Sequence, residues 1–163
     1  MKANDSLLAD FEREAQTTRR FLERLPDDKL DWRPHAKSST AGELGSHVTD
    51  LLRFAGFIFT QDEFNFDPST YKPYQATSVA DLLKTFDENL ASGKQVLAGV
   101  ADEDLKRLWQ FKIMGRLRFE RPKGDVFRDF ALAHQIHHRG QLSVYLRLLD
   151  VPVPGAYGPS ADE

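Results

Sequence analysis

A chain of 163 residues, 40% apolar and with 12 phenylalanines, is long enough to build one domain with its own core. Its 22 basic and 25 acidic residues leave a net charge of −3, which gives no bulk attraction to nucleic acid or to an anionic membrane. Cysteine is absent, so disulfides, thiolate ligands and a cysteine nucleophile are excluded together, and any metal must be held by His, Asp or Glu. The expectation is a single domain over 1–163. No segment reaches the roughly 20 apolar residues of a membrane span, and the N-terminal stretch mixes charges from the outset, so a cytoplasmic location is expected.

In chain order, Leu7, Leu8, Phe11, Ala15, Thr18, Phe21, Leu22 and Leu25 recur at three- and four-residue steps behind the capping candidates Asn4, Asp5 and Ser6, which predicts an amphipathic first helix. Pro26 and Pro34 bracket a connection that cannot continue it. Thr40 and Glu43 have the spacing of a capping box, and Leu44, Val48, Leu51, Ala55 and Ile58 carry a second helix to about Phe59. The polar segment 61–75 ends that helix. Ser78 and Asp81 open a third, with Val79, Leu82, Leu83, Phe86, Leu90 and Leu97 on its apolar side and Gly93 as a mild flaw. A fourth is expected from near Asp125 to about Leu149. Four long helices predict an all-α four-helix bundle with long connections.

One segment departs from the helical period. Trp109, Phe111, Ile113, Leu117 and Phe119 alternate with Gln110, Lys112, Met114, Arg116, Arg118 and Glu120, so a small β-hairpin with Met114-Gly115 at its tip is expected between helices three and four. Aromatics interleaved with Arg and Lys also fit a nucleic-acid stacking platform. A half-buried hairpin with a solvated basic face gives the same pattern, and it is the preferred reading.

Only five histidines occur, and three of them, His134, His137 and His138, fall in the most apolar helix. At about 100° per residue, His134 and His138 lie about 40° apart near the centre of a face made by Phe127, Phe130, Ala131, Leu142, Tyr145, Leu148 and Leu149, with His137 at its edge. His47 falls on the inward side of the second helix, beside Leu51, Phe54 and Ile58. Imidazoles four residues apart project together, and a third from a facing helix completes three neutral nitrogen donors with a coordination position left open. A polar core network is the competing account of the same pattern.

The remaining candidates have structural readings beside functional ones. His137 is a surface residue or a proton relay, His35 a loop residue, and Trp32 a core residue or a pocket wall. Gln141 could orient a ligand or bond within the core. Asp50 and Glu43 flank His47 off its face, as a solvated charge and a helix cap. Tyr157 and the last residues either fold back over the end of the helices or fray. The residue after His134 is Gln135, expected to point away from the apolar face; a zincin-type HExxH motif would need glutamate there, so no metalloprotease is implied.

"GELGSHVTDLLRF", "HQIHHRGQLSVYLRLLDVPVP", "LPDDKLDWRPHAKSSTAGEL" and the ending "YGPSADE" together resemble the DinB-like family of metalloenzymes, over nearly the whole chain. The resemblance implies a four-helix bundle, often a homodimer, with a three-histidine metal site whose motif positions match His47, His134 and His138. It implies a divalent metal acting on a small-molecule substrate by hydrolysis, by thiol S-transfer or by isomerisation with a low-molecular-weight thiol; neutral imidazoles suit zinc first and nickel second, since zinc tolerates an open tetrahedral site. With no cysteine in the chain, the thiol route needs an external low-molecular-weight thiol. The alternative is a metal- or ligand-binding stress-response protein without turnover, and no catalytic residue beyond the three ligands is assigned.

Overall fold

The computed structural model describes residues 3–163. Its elements are α1 (Ala3–Leu22), α2 (Ala41–Asp50), α3 (Phe54–Thr60), β1 (Glu63–Phe66), α4 (Val79–Ala98), β2 (Leu108–Ile113), β3 (Arg116–Pro122), α5 (Lys123–Val126), a π-helical stretch Phe127–Ala133 and α6 (His134–Leu148). The molecule is mostly helical with one small three-stranded sheet. Among the described residues no helix is long and apolar enough to cross a membrane.

The helices form where the apolar spacing requires them. On α1, Leu7, Phe11, Ala15 and Leu22 are buried at helical steps and pack toward α4 and α6. The expected caps Asn4 and Asp5 lie inside this helix instead of ahead of it, as does Ser6. Asn4 donates its amide to the Val100 carbonyl at 2.6 Å and ties the start of α1 to the end of α4. Gly93 is no flaw: a Cβ there would stand 2.8 Å from Phe11 Cζ, so its missing side chain lets α1 and α4 approach. Thr40 and Glu43 form the reciprocal capping box, and Ser78 accepts from the Asp81 amide at 3.0 Å.

The second helix is not continuous. A 3₁₀ turn at Leu51–Arg53 separates α2 from α3, and three residues at the tighter pitch shift the helical phase by about 60°. That turn presents Phe54 and Phe57 to the sheet. The fourth helix is interrupted likewise, by the wider turn of Phe127–Ala133 immediately before His134. The 100° step used to draw its apolar face does not apply through that stretch. The buried residues of α6 are Gln135, Arg139, Leu142, Tyr145 and Leu146, so of the expected face Phe127, Ala131, Leu142 and Tyr145 are buried while Leu148 is exposed. Gln135, expected to face outward, is 1% exposed, and its Nε2 has no hydrogen-bond partner among the described residues.

The hairpin forms where alternation places it, with Met114 (φ 49°) and Gly115 (φ 75°) making a two-residue turn with both residues at positive φ. It is not isolated. β1, inside the polar segment expected to end the second helix, pairs in parallel with β2, from Glu63 opposite Gln110 to Phe66 opposite Ile113. Fully buried Trp109 donates its indole N–H to the Phe57 carbonyl at 3.1 Å and fixes the sheet to α3. Buried Lys123 caps the Gln61 carbonyl at 2.7 Å where β1 begins. The C-terminal segment folds back over the helices: Glu163 pairs with Arg24, Asp162 with Arg147, and Tyr157 with Glu14.

Candidate metal centre

His47 projects from the last full turn of α2, and His134 and His138 from the first turns of α6, the two helices lying against each other. One ring nitrogen from each lies within 4.8 Å of the others. His47 Nε2 and His134 Nε2 are 3.4 Å apart. The ring centroids form a tight triangle, 5.1 Å from His47 to His134, 4.6 Å from His47 to His138 and 4.7 Å from His134 to His138. The three are not core residues: His47 is exposed at one edge, and His134 and His138 are half-buried.

Protonation is disfavoured throughout the cluster. Desolvation, followed by the charges His138, His47 and His137 would carry, pushes His134 down to about 4, against a smaller opposing hydrogen bond to the Phe130 backbone. His47 is lowered by desolvation and by His138, with Asp50 opposing, and His138 is lowered by desolvation and His137, with Gln141 opposing. All three shifts favour the neutral imidazole, the form that has a lone pair to offer a metal. Gln141 Oε1 stands 2.7 Å from His138 Nδ1. An amide oxygen only accepts, so Nδ1 carries the proton and Nε2 is left open, which is how an outer partner orients a metal-binding histidine. His137 is exposed and outside the triangle, and His35 is a loop residue whose Nδ1 accepts from the Lys37 amide.

Beside the histidines lies a cavity of about 600 Å³ into which His47 and His134 face. Its wall is rich in aromatic side chains, Phe54, Phe64, Phe111 and Phe130 among them; Phe54 and Phe130 lie on the faces expected to carry the histidines and Phe111 in the expected hairpin, whereas Phe64 had no expected place. Asp50 also faces it. Expected as a solvated charge, it is only 6% exposed, and its two oxygens accept from Arg53 at 2.8 Å and from the Tyr71 hydroxyl at 2.7 Å. Burial and this carboxylate push Tyr71 up to about 12, so its phenol stays protonated. Glu43 is the helix cap expected of it. Trp32 packs edge-on against Tyr145 and does not line the cavity. The missed part of the wall, β1, has one local signal, the alternation in Glu63-Phe64-Asn65-Phe66, which is too short to stand out in a polar segment.

The sequence profile of the DinB superfamily matches residues 10–142. The uncharacterized protein YrdA of Bacillus subtilis (strain 168) is 27% identical over 163 residues, covering 98% of this chain and 90% of its own. YjoA of the same organism is also 27% identical, over 149 residues, covering 90% of this chain and 91% of its own. Among solved structures, a DinB-like protein from Bacillus cereus aligns with a TM-score of 0.75 at 23% identity, over 94% of this chain and 97% of that one. The crystal structure of YjoA aligns with a TM-score of 0.70 at 19% identity, over 97% and 98% of the two chains. At such identities the structures attest the fold, and the profile, covering most of the sequence and all three histidine positions, attests the family: the chain belongs to the DinB superfamily.

Proposed function

We propose that this protein is a metal-dependent enzyme in which His47, His134 and His138 hold one divalent ion, zinc first and nickel second. In this reading the four helical stretches work as a four-helix bundle whose facing helices supply the ligands. A small electrophilic substrate reacts there with water or with an external low-molecular-weight thiol. The observation that supports it most is the 3.4 Å between His47 Nε2 and His134 Nε2. Two nitrogens bound at about 2.0–2.1 Å to one tetrahedral ion lie about 3.4 Å apart, whereas a good hydrogen bond between them would bring them to about 3.0 Å. The donor set is neutral imidazole only, which suits zinc and nickel alike.

When bound, a divalent ion supplies Lewis acidity, lowering the pKa of water or of a thiol at the position three histidines leave open. The chain supplies the rest. Desolvation keeps the imidazoles unprotonated near neutral pH, and Gln141 fixes the tautomer of His138. Neither nearby carboxylate is free to serve as a base, because Glu43 is engaged in its cap and Asp50 by Tyr71 and Arg53.

Elemental analysis of the purified protein is expected to read one zinc or nickel per chain, and the His134→Ala variant to read none. Chelation is expected to leave far-UV circular dichroism unchanged, since a core of this size folds without metal. A screen of esters and amides, and of thiols paired with model electrophiles, is expected to show turnover that stops on chelation and returns with metal. Full metal occupancy in His134→Ala overturns the ligand assignment. Bound metal with no turnover in either screen replaces the enzyme by a binding protein.

A further inference from the structure

The cavity beside the histidines is much larger than a hydrated ion requires. Its volume of about 600 Å³ is roughly four times that of an engineered cavity of about 150 Å³ that admits benzene. It falls among pockets of about 300–1,000 Å³ that enclose drug-sized molecules. Phe64 and Phe111 lie nearly parallel across the pairing of β1 with β2, centroids 6.3 Å apart and planes 7° apart. Phe54 from α3 and Phe130 from the π turn close the sides. The loop 67–75 contributes Pro68, Tyr71 and Pro73, and the Tyr71–Asp50 hydrogen bond fastens it over the space.

The polar lining is sparse and mostly engaged. Glu43 caps α2, Asp50 takes bonds from Arg53 and Tyr71, and the Tyr74 hydroxyl donates to Asp81 at 3.2 Å. No lysine or arginine is among the described residues that line the cavity. A carboxylate or phosphate entering it would shed hydration without meeting a partner, and a cation would meet an Asp50 whose charge Arg53 already balances. The cluster also has two sides. His47 and His134 face the cavity, whereas His138 is outside its lining, next to the exposed Gln141 and His137.

The geometry points to a substrate class: a neutral, largely apolar molecule of two or three rings, or an alkyl group of equal bulk, laid against the Phe64–Phe111 wall with its reactive polar group at His47 and His134. The chemistry at that polar group rests on the metal-site reading, while binding of the apolar body does not. A water-soluble co-reactant reaches the cluster from the His138 side.

The test is a fluorescence titration of the full chain, metal-free and zinc-loaded, with two probes. N-phenylnaphthylamine is neutral and emits strongly only in apolar surroundings; anilinonaphthalene sulfonate carries an anionic group on a related ring frame. One saturable site is expected for the neutral probe in both forms, about ten-fold or more tighter than for the anion. The Phe64→Ala variant is expected to weaken it about ten-fold, as loss of one buried aromatic wall predicts. Phe66→Asp, on the half-buried rim, places a charge at the cavity without touching the sheet's core and is expected to weaken it similarly; circular dichroism checks that both variants fold. Equal binding of the anion, or neutral-probe binding that neither folded variant changes, overturns the proposal. Failure of zinc binding with probe binding intact removes the metal reading alone, and failure of probe binding in a chain that takes up zinc removes this one alone.

Discussion

Helix α6 carries polar side chains on two sides, and the fold treats them in opposite ways. On the core side Arg139, 2% exposed, meets the Glu14 carboxylate at 2.9 Å, the Glu14 carbonyl at 3.2 Å and the Thr18 hydroxyl at 3.3 Å, and its guanidinium also lies over the Tyr157 ring. On the cavity side, one turn before, His134 Nε2 faces only another imidazole nitrogen at 3.4 Å. A buried charge kept for architecture is saturated with partners, because an unpaired one is too unfavourable to keep. The three imidazoles, held close together at a half-open edge and disfavoured from protonation, have no such set of partners.

The largest effect expected from breaking this contrast is on the core side. Arg139→Ala leaves the buried Glu14 carboxylate with only the mostly exposed Arg13, 3.4 Å away, as a cation and is expected to lower unfolding stability by about 3 kcal/mol, measured by urea unfolding, while the zinc-binding capacity of folded molecules is expected to be unchanged. The double variant Glu14→Leu with Arg139→Met is expected to recover part of the loss; none at all would mean that Tyr157 and Thr18 depend on the pair more than the geometry implies. The same pair sets an acid limit. Burial alone raises the Glu14 carboxyl, but hydrogen bonds from Tyr157 and Arg139 and the guanidinium charge outweigh it and hold the group below its ordinary 4.5. Its stabilisation is therefore complete above pH 4.5 and lost as pH falls through the lower folded value. Glu14→Gln is expected to flatten the stability curve in that window.

On the cavity side, Gln141→Ala is expected to weaken zinc binding about 10- to 100-fold, the usual consequence of losing an outer partner of a ligand histidine, with unfolding of the metal-free protein unchanged. Competition with a zinc chelator reads this, and an unchanged affinity would show that the 2.7 Å contact does not orient His138. A smaller effect belongs to Gln135, whose buried amide lacks a partner on its nitrogen. Gln135→Met removes that group at similar volume and is expected to stabilise the fold by about 1 kcal/mol. A clear loss of stability would mean that the amide is satisfied in solution. Smallest of all, His137→Ala is expected to leave metal content and melting temperature as they are, since the residue is exposed and outside the triangle; loss of metal from a folded variant would place it among the ligands.

The convergence of His47, His134 and His138 was legible because each pair relation is either local or follows from two helices facing each other. The hairpin was legible because Met114-Gly115 sits between two alternating runs, and so were the caps at Thr40 and Ser78. The aromatic wall was not. Phe64 becomes part of a sheet only when β1 finds β2, from Glu63 to Gln110 in register, and no local rule pairs strands that far apart in sequence. Asp50 was misjudged because its burial comes from Tyr71 in a loop, and Gln135 because the π turn changed the phase of the helix before it reached α6.

Residue spacing by itself determined which segments become helices, where the hairpin turns and which histidines can meet, because these depend on periods of 3.6 and 2 and on a few capping side chains. Tertiary structure alone decided that the histidines stand at a half-open edge instead of in the core, that Arg139 and Glu14 form the buried pair, and that a parallel strand walls an apolar cavity beside the histidines. Those outcomes depend on contacts between distant residues and on helix phase after irregular turns, quantities that no single window of sequence contains.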